Sequence, residues 1–220
     1  MKPRVTSNQA MELTASLCST DGLHDHRTQT TVDARGRWAV ADLVFVRCFR
    51  ALPVRERPFE ATDLPSVMEI YTASIHSLAA PYYSPDQIAA WAPVPPDAAR
   101  WQERLSKLHT IVAECDGVLA GFVSYTNEGY LDFVFTHPTF ARRGVATGLY
   151  HCAESALRAL GVSRVTTHAS LAARPFFDRH GFQLDAEDCV ECRGAYLLRF
   201  AMHKQLGNER NAEPIAPANR

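Results

Sequence analysis

Between Asp132 and Gly148 the chain reads DFVFTHPTFARRGVATG, and the residue types in that stretch can build a site for an anion. A β-rich run ends at Pro138, a short basic loop follows, and small residues open a helix. The first backbone N–H groups of a helix have no intrahelical partner, and the macrodipole adds partial positive charge there. Gly144 and Ala146 carry no large side chain, so a phosphate can approach those amides. Arg142 and Arg143 add full charges at the rim. An ordinary basic turn before an amphipathic helix uses the same letters, so the surrounding elements must decide between the two.

Those elements follow from periodicity. Val54 to Phe59 predicts a strand, Thr62-Asp63 a helix cap, and Ile70, Tyr71, Ser74 and Leu78 one face of the helix that follows. Ser84-Pro85-Asp86-Gln87 is a capping box opening a short helix with Ile88 and Trp91. Asp97 caps a third helix carrying Trp101, Leu105 and Leu108. Thr110–Glu114, Val118–Tyr125 and Tyr130–Thr136 predict an antiparallel block turning at Asp116-Gly117 and Asn127-Glu128-Gly129. A helix from about Val145 to Leu160 presents Leu149, Ala153, Ala156 and Leu160 on one face, with Glu154 and Arg158 paired on the other. Arg164–Ala169 predicts a strand, Ala172–His180 a short helix, and Gln183–Cys189 and Tyr196–Met202 a closing hairpin turning at Arg193-Gly194. The expected class is α+β: a mixed, largely antiparallel central sheet flanked by helices. Because the basic turn follows the third strand of an antiparallel block, a doubly wound dinucleotide site is disfavoured.

The chain has 220 residues, 46% apolar and 21% charged, with 23 Lys+Arg against 24 Asp+Glu. That composition supports one sizeable core. The neutral balance argues against a nucleic-acid partner, and the absence of a long apolar run argues against a membrane span. Residues 1–50 read as a disordered or loosely docked extension, 54–204 as the domain, and 205–220 as a flexible tail. Six scattered cysteines and no secretory pattern lead to a reduced, cytoplasmic setting as the expectation. Cys189-Val190-Glu191-Cys192 lacks the second ligand pair a structural zinc needs, so no metal is expected, and His24-Asp25-His26 reads as a solvated triplet.

The run Thr136-His137-Pro138, then Arg143-Gly144-Val145-Ala146, followed by Ser170, Ala173 and Phe177 ahead of Gly181-Phe182, resembles the GNAT N-acetyltransferases. The resemblance covers about residues 54–204. The stretch Tyr83 to Pro93 together with Ala173 to Phe177 looks like the bacterial YafP-type branch. The resemblance implies acetyl-CoA as co-substrate, direct transfer of its acetyl group to a primary amine of a small molecule or amino-acid-like acceptor, and a monomer or homodimer. It implies a diphosphate on the amides of Arg143, Gly144, Val145, Ala146 and Thr147. Val134, Phe135 and Thr136 would pair with the pantetheine arm like an added strand, with a Val134-side amide as oxyanion donor. Ser170 and Phe177 would line the cofactor. Three positions depart from the family pattern: Ala141 replaces Gln or Arg, Ser170 replaces Asn, and Phe177 replaces a Tyr that acts as general acid. Ala141 and Phe177 motivate an alternative, a catalytically weak CoA-binding sensor or interaction protein with the same fold.

An alkylammonium with pKa about 10.4 is only about 0.1% neutral near pH 7, so a base is worth up to roughly three decades. A thiol of pKa about 8.5 leaves readily as thiolate, which makes a general acid dispensable. Strand alternation puts Asp132 on one face with Tyr130 and Val134, making it the first candidate base. Glu128 in the turn is the second, and His168, in phase with Ser170, could relay a proton. Acceptor-binding candidates are Tyr71, Ser74, Tyr82, Tyr83, Trp91 and Tyr130, an aromatic set suited to a small apolar or aromatic amine.

Overall fold

The computed structural model describes residues 54–207. The expected extension over 1–50 and residues 208–220 of the expected tail lie outside the described residues. Seven strands form one sheet in the order β1-β2-β3-β4-β5-β7-β6. They are β1 (Val54–Pro58), β2 (His109–Cys115), β3 (Val118–Tyr125), β4 (Tyr130–Thr136), β5 (Arg164–Ser170), β6 (Gln183–Cys192) and β7 (Ala195–Gln205). Neighbours are antiparallel except β4 and β5, as expected of a mixed sheet.

The helices are α1 (Leu64–Ser74), α2 (Pro85–Trp91), α3 (Ala98–Leu105), α4 (Val145–Ala159) and α5 (Arg174–Arg179). α4 and α5 cover one face, where Val145, Leu149, Ala153, Leu157 and Phe177 pack on Val123, Leu131 and Val165. The first three helices cover the other, with Val67, Ile70 and Leu105 over Val112, Phe122 and Phe133. Ser84 and Gln87 form the expected capping box on α2, and Asp97 accepts from the Arg100 amide to cap α3.

Three local expectations need correction. Asp63 does not cap α1 from outside; it closes a 3-10 turn, accepting from the Glu60 amide while the Arg57 fork holds its carboxylate at 2.7 and 2.9 Å. A single wide π-turn, Ile75–Ala79, continues α1, and the residue it inserts rotates the buried face: Ile75 and Ala79 go inside while Leu78 is exposed. On α4 the 3.6-residue period carries the buried stripe to Leu157, and Leu160, past the helix end, is exposed. Glu154 makes the expected pair with Arg158 at 2.7 Å and a second with Lys204 at 2.8 Å. Burial pushes the Glu154 carboxyl up, but the hydrogen bonds from Lys204, Tyr150 and Arg158 outweigh it and hold the pKa at about 2.

Gly121 on β3 is where sheet and α4 close on each other. A Cβ there would stand 2.6 Å from the Phe135 carbonyl oxygen, 3.0 Å from Val145 and 3.1 Å from Leu149. The nearest of these is backbone and cannot swing away. Gly121→Ala is therefore expected to destabilise the fold by about 1–3 kcal/mol, read as a lowered midpoint in urea unfolding at unchanged slope.

Candidate active site

β4 and β5 pair only at Tyr130↔Thr166 and Leu131↔Thr167. Two local devices end the ladder. The Thr167 hydroxyl donates to the Leu131 carbonyl at 3.0 Å, occupying the acceptor that the next parallel rung would use. The register against β3 also slips between Ser124↔Phe133 and Tyr125↔Leu131, leaving Asp132 as the extra residue of a β-bulge, which bends its strand. Beyond this point β4 and β5 splay. The His137 amide donates to Ala120 on β3 at 2.8 Å, so by alternation Val134 and Thr136 turn their N–H and C=O away from β3, into the gap. Thr136 Oγ1 is buried there with no partner among the described residues.

The basic loop lies at the mouth of this gap. Arg142 and Gly144 both take left-handed backbone, φ 60 and φ 85, which curls the loop around the start of α4. The first bond into the helix is Gly148 N–H to Gly144 C=O at 3.0 Å, so the amides of Val145, Ala146 and Thr147 stay free. A Cβ on Gly144 would meet nothing within 4 Å, so the approach to those amides is open. The backbone groups of Val134 and Thr136 turned into the gap, the free amides and the open glycine together fit a diphosphate with a long hydrogen-bonding arm, the shape of CoA.

A cavity of about 990 Å³ joins loop, gap and first helices; Val134, Phe135, Thr136, Arg142, Ala146, Ser170 and Phe177 line it, whereas Arg143, Gly144, Val145 and Thr147 do not. Val145 is buried in the core, so its contribution is its amide alone. The Ser170 hydroxyl accepts from the Ala173 amide at 3.2 Å. Phe177 is 3% exposed and packs edge-on to Phe182, offering no proton to a leaving group.

The candidate bases separate. The bulge breaks the alternation expected of Tyr130, Asp132 and Val134: Leu131 and Val134 face the α4 core, Phe133 and Phe135 the α1 side. Asp132 thereby meets α3, where Arg104 Nε and Nη2 grip both carboxylate oxygens at 2.9 and 2.7 Å while the guanidinium lies over the Phe133 ring. Glu128 is exposed in its turn and does not line the cavity; its pKa is lowered by the Thr126 hydrogen bond. His168 does line it, and its Nδ1 stands 3.1 Å from the Tyr130 hydroxyl. On the far side, His168 Nε2 is 3.7 Å from Asp188 Oδ2, which Arg199 Nε holds at 2.6 Å. Burial and the Arg199 charge pull the His168 pKa below its ordinary value, against Asp188. The imidazole is therefore neutral near pH 7 and able to accept a proton.

The acceptor-side aromatics divide as well. Tyr71 sits in a ring cluster with Trp101, Phe133 and Phe135, and its hydroxyl donates to the Trp91 carbonyl at 3.4 Å. Tyr83 is a strut: its hydroxyl donates to Leu198 C=O at 2.7 Å and accepts from the Leu171 amide at 2.9 Å. Tyr82 is exposed at the rim, Ser74 is buried, and both line the cavity with Trp91 and Tyr130. Cys189 and Cys192 are free thiols. Three positions apart on one strand, they point to opposite faces and cannot act together.

Asp188, Arg199 and Arg104 were not anticipated. Counting outward from the Arg193-Gly194 turn puts Asp188 opposite Arg199, as observed, so that pair was findable. The Arg104–Asp132 pair joins a helix to a bulge and has no local signal.

The sheet thus parts between its two parallel strands, beside a helix start whose first amides are free. Residues 79–205 match the family described as acetyltransferase (GNAT) domain, and the chain belongs to that family. It is 37% identical over 151 residues to the Escherichia coli K12 protein named as uncharacterized N-acetyltransferase YafP, covering 68% of this chain and 94% of that one. A crystal structure of a GCN5-related N-acetyltransferase from Rhodopseudomonas palustris superposes with a TM-score of 0.67 at 33% identity, covering 69% of this chain and 95% of that one. Salmonella typhimurium yncA, solved with acetyl-CoA, shares the fold with a TM-score of 0.54 at 20% identity over 74% of this chain and 98% of that one.

Tyr83→Phe keeps the ring and removes the strut, leaving a strand carbonyl and an amide unpaired. The expected cost is about 1–3 kcal/mol, measured by denaturant unfolding against wild type.

Proposed function

We propose that this enzyme uses acetyl-CoA to acetylate the primary amine of a small molecule, binding the donor in the gap between β4 and β5. The observation that carries this reading is the splay after Leu131, with its inward-turned Val134 and Thr136 amides leading to the free amides of α4. When bound, acetyl-CoA supplies an activated acetyl group and a good leaving thiolate. Val145, Ala146 and Thr147 hold the diphosphate by their amides, with Arg142 and Arg143 adding charge. Val134 N–H stabilises negative charge developing on the acetyl oxygen. Tyr130 Oη takes the proton shed by the acceptor nitrogen as its own proton passes to His168 Nδ1, and the Asp188 carboxylate, 3.7 Å from Nε2, offsets the charge the ring gains. Asp132, with both oxygens on Arg104, positions α3 against β4. Glu128 has no part in this scheme.

Thiol release from acetyl-CoA against an amine panel tests the activity; tight CoA binding with no turnover of any amine overturns it in favour of the sensor reading. Gly144→Glu places a carboxylate at the diphosphate and is expected to abolish CoA binding in calorimetry; unchanged affinity in the folded variant refutes the placement. His168 must be neutral to accept a proton, so kcat/KM should rise with pH through a pKa below about 6.5 and then level. His168→Gln should lose that limb and about a hundredfold in rate. Asp188→Asn should move the limb lower, because the lost carboxylate had favoured the imidazolium.

A further inference from the structure

The last turn of α2 is held by side chains. Ala90 C=O accepts from Arg193 Nη1 at 2.7 Å and from Cys192 Sγ at 3.3 Å, Trp91 C=O accepts from Tyr71, and Ala92 C=O from His76 Nε2 at 2.8 Å. Of these donors Arg193 has capacity to spare. Its Nη1 is committed, but Nε and Nη2, the side-on edge by which Arg104 grips Asp132, make no hydrogen bond among the described residues. Nor does any described carboxylate pair with it; Arg100, Arg142 and Arg179 of the same cavity also lack one, whereas Arg104 and Arg199 are paired. Arg193 lines the cavity. It also holds left-handed backbone, φ 47, ahead of Gly194, at a turn position where Asn or Gly is the unstrained choice.

The acids nearby are otherwise engaged. Asp97 caps α3 and Asp132 is gripped by Arg104. Glu191 also lines the cavity, although alternation turns its side chain to the face of β6 opposite Val190 and Cys192, which pack toward α2. This end of the cavity thus has a guanidinium edge with no hydrogen bond among the described residues, while Asp97 and Asp132 are both committed. Tyr71, Trp91 and Leu197 add apolar wall to the same cavity.

We infer that the acceptor is an amino acid in the broad sense, an amine bearing a carboxylate at the end remote from its nucleophilic nitrogen across an apolar spacer, and that Arg193 binds that carboxylate along its Nε–Nη2 edge. This rests on reading the cavity as the acceptor site of an acetyltransferase. Bidentate guanidinium–carboxylate contact supplies both charge and direction.

The test compares 4-(aminomethyl)benzoate with its methyl ester in wild type and Arg193→Ala. In wild type the acid should have at least about a tenfold higher kcat/KM than the ester, and Arg193→Ala should collapse that ratio toward one through KM, with Arg193→Lys retaining part of it. Equal use of acid and ester by wild type, or an acid-to-ester ratio unchanged in Arg193→Ala, overturns the assignment; loss of the Ala90 clamp alone predicts the latter. Calorimetry of the acid on CoA-loaded protein gives a readout apart from turnover: Arg193-dependent binding supports the site, and equal binding by both proteins overturns it. Should no amine release CoA thiol while Arg193-dependent binding persists, the acetyl-transfer reading fails and the carboxylate site stands.

Discussion

The parting of β4 from β5 organises everything else in this molecule. A parallel pair normally continues while both strands last, because each rung satisfies two backbone groups that are costly to leave bare. Here the Thr167 hydroxyl takes the Leu131 carbonyl and Asp132 bulges out of the β3 register, so the ladder stops with most of β4 unpaired on that side. The sheet stays intact only because β3 still binds β4 and β7 still binds β5 along its whole length. What would be an unsatisfied edge in a closed fold becomes a row of amides facing a slot.

The same bulge decides which acidic group is available for chemistry. By turning Asp132 toward α3 it commits both oxygens of that carboxylate to Arg104. The imidazole across the slot is the complementary case. His168 has one nitrogen on a tyrosine and the other toward a carboxylate that Arg199 already neutralises in part. Neighbouring positive charge and burial keep it uncharged until a proton arrives. Phe177, fully packed against Phe182, leaves the slot without a phenolic donor at that point, which thiol acidity makes tolerable.

Strand and helix identities were legible because alternation and the 3.6-residue period are local signals. The Ser84–Gln87 box, the Asp97 cap and the paired turns of the antiparallel block each read directly from neighbouring letters. What stayed hidden was geometry that departs from the period. The π-turn after Ser74 exchanged Leu78 for Ile75 and Ala79 inside the fold, and the bulge at Asp132 undid a face assignment that strict alternation had made. Neither device has a letter pattern of its own; both arise where packing against a second element overrides local repeat. The Arg104–Asp132 pair was out of reach for the same reason, whereas the Asp188–Arg199 pair, also missed, was within reach of hairpin counting.

The carbonyls at the end of α2 are tied down from three directions, by α1, the π-turn and the β6–β7 turn. A roof fastened that way acts as a fixed gauge, admitting molecules by girth and polarity instead of reshaping around them. Diversification within such an architecture runs through side-chain exchange at the fastening points, so closely related chains can acquire new chemical tastes with no change in backbone.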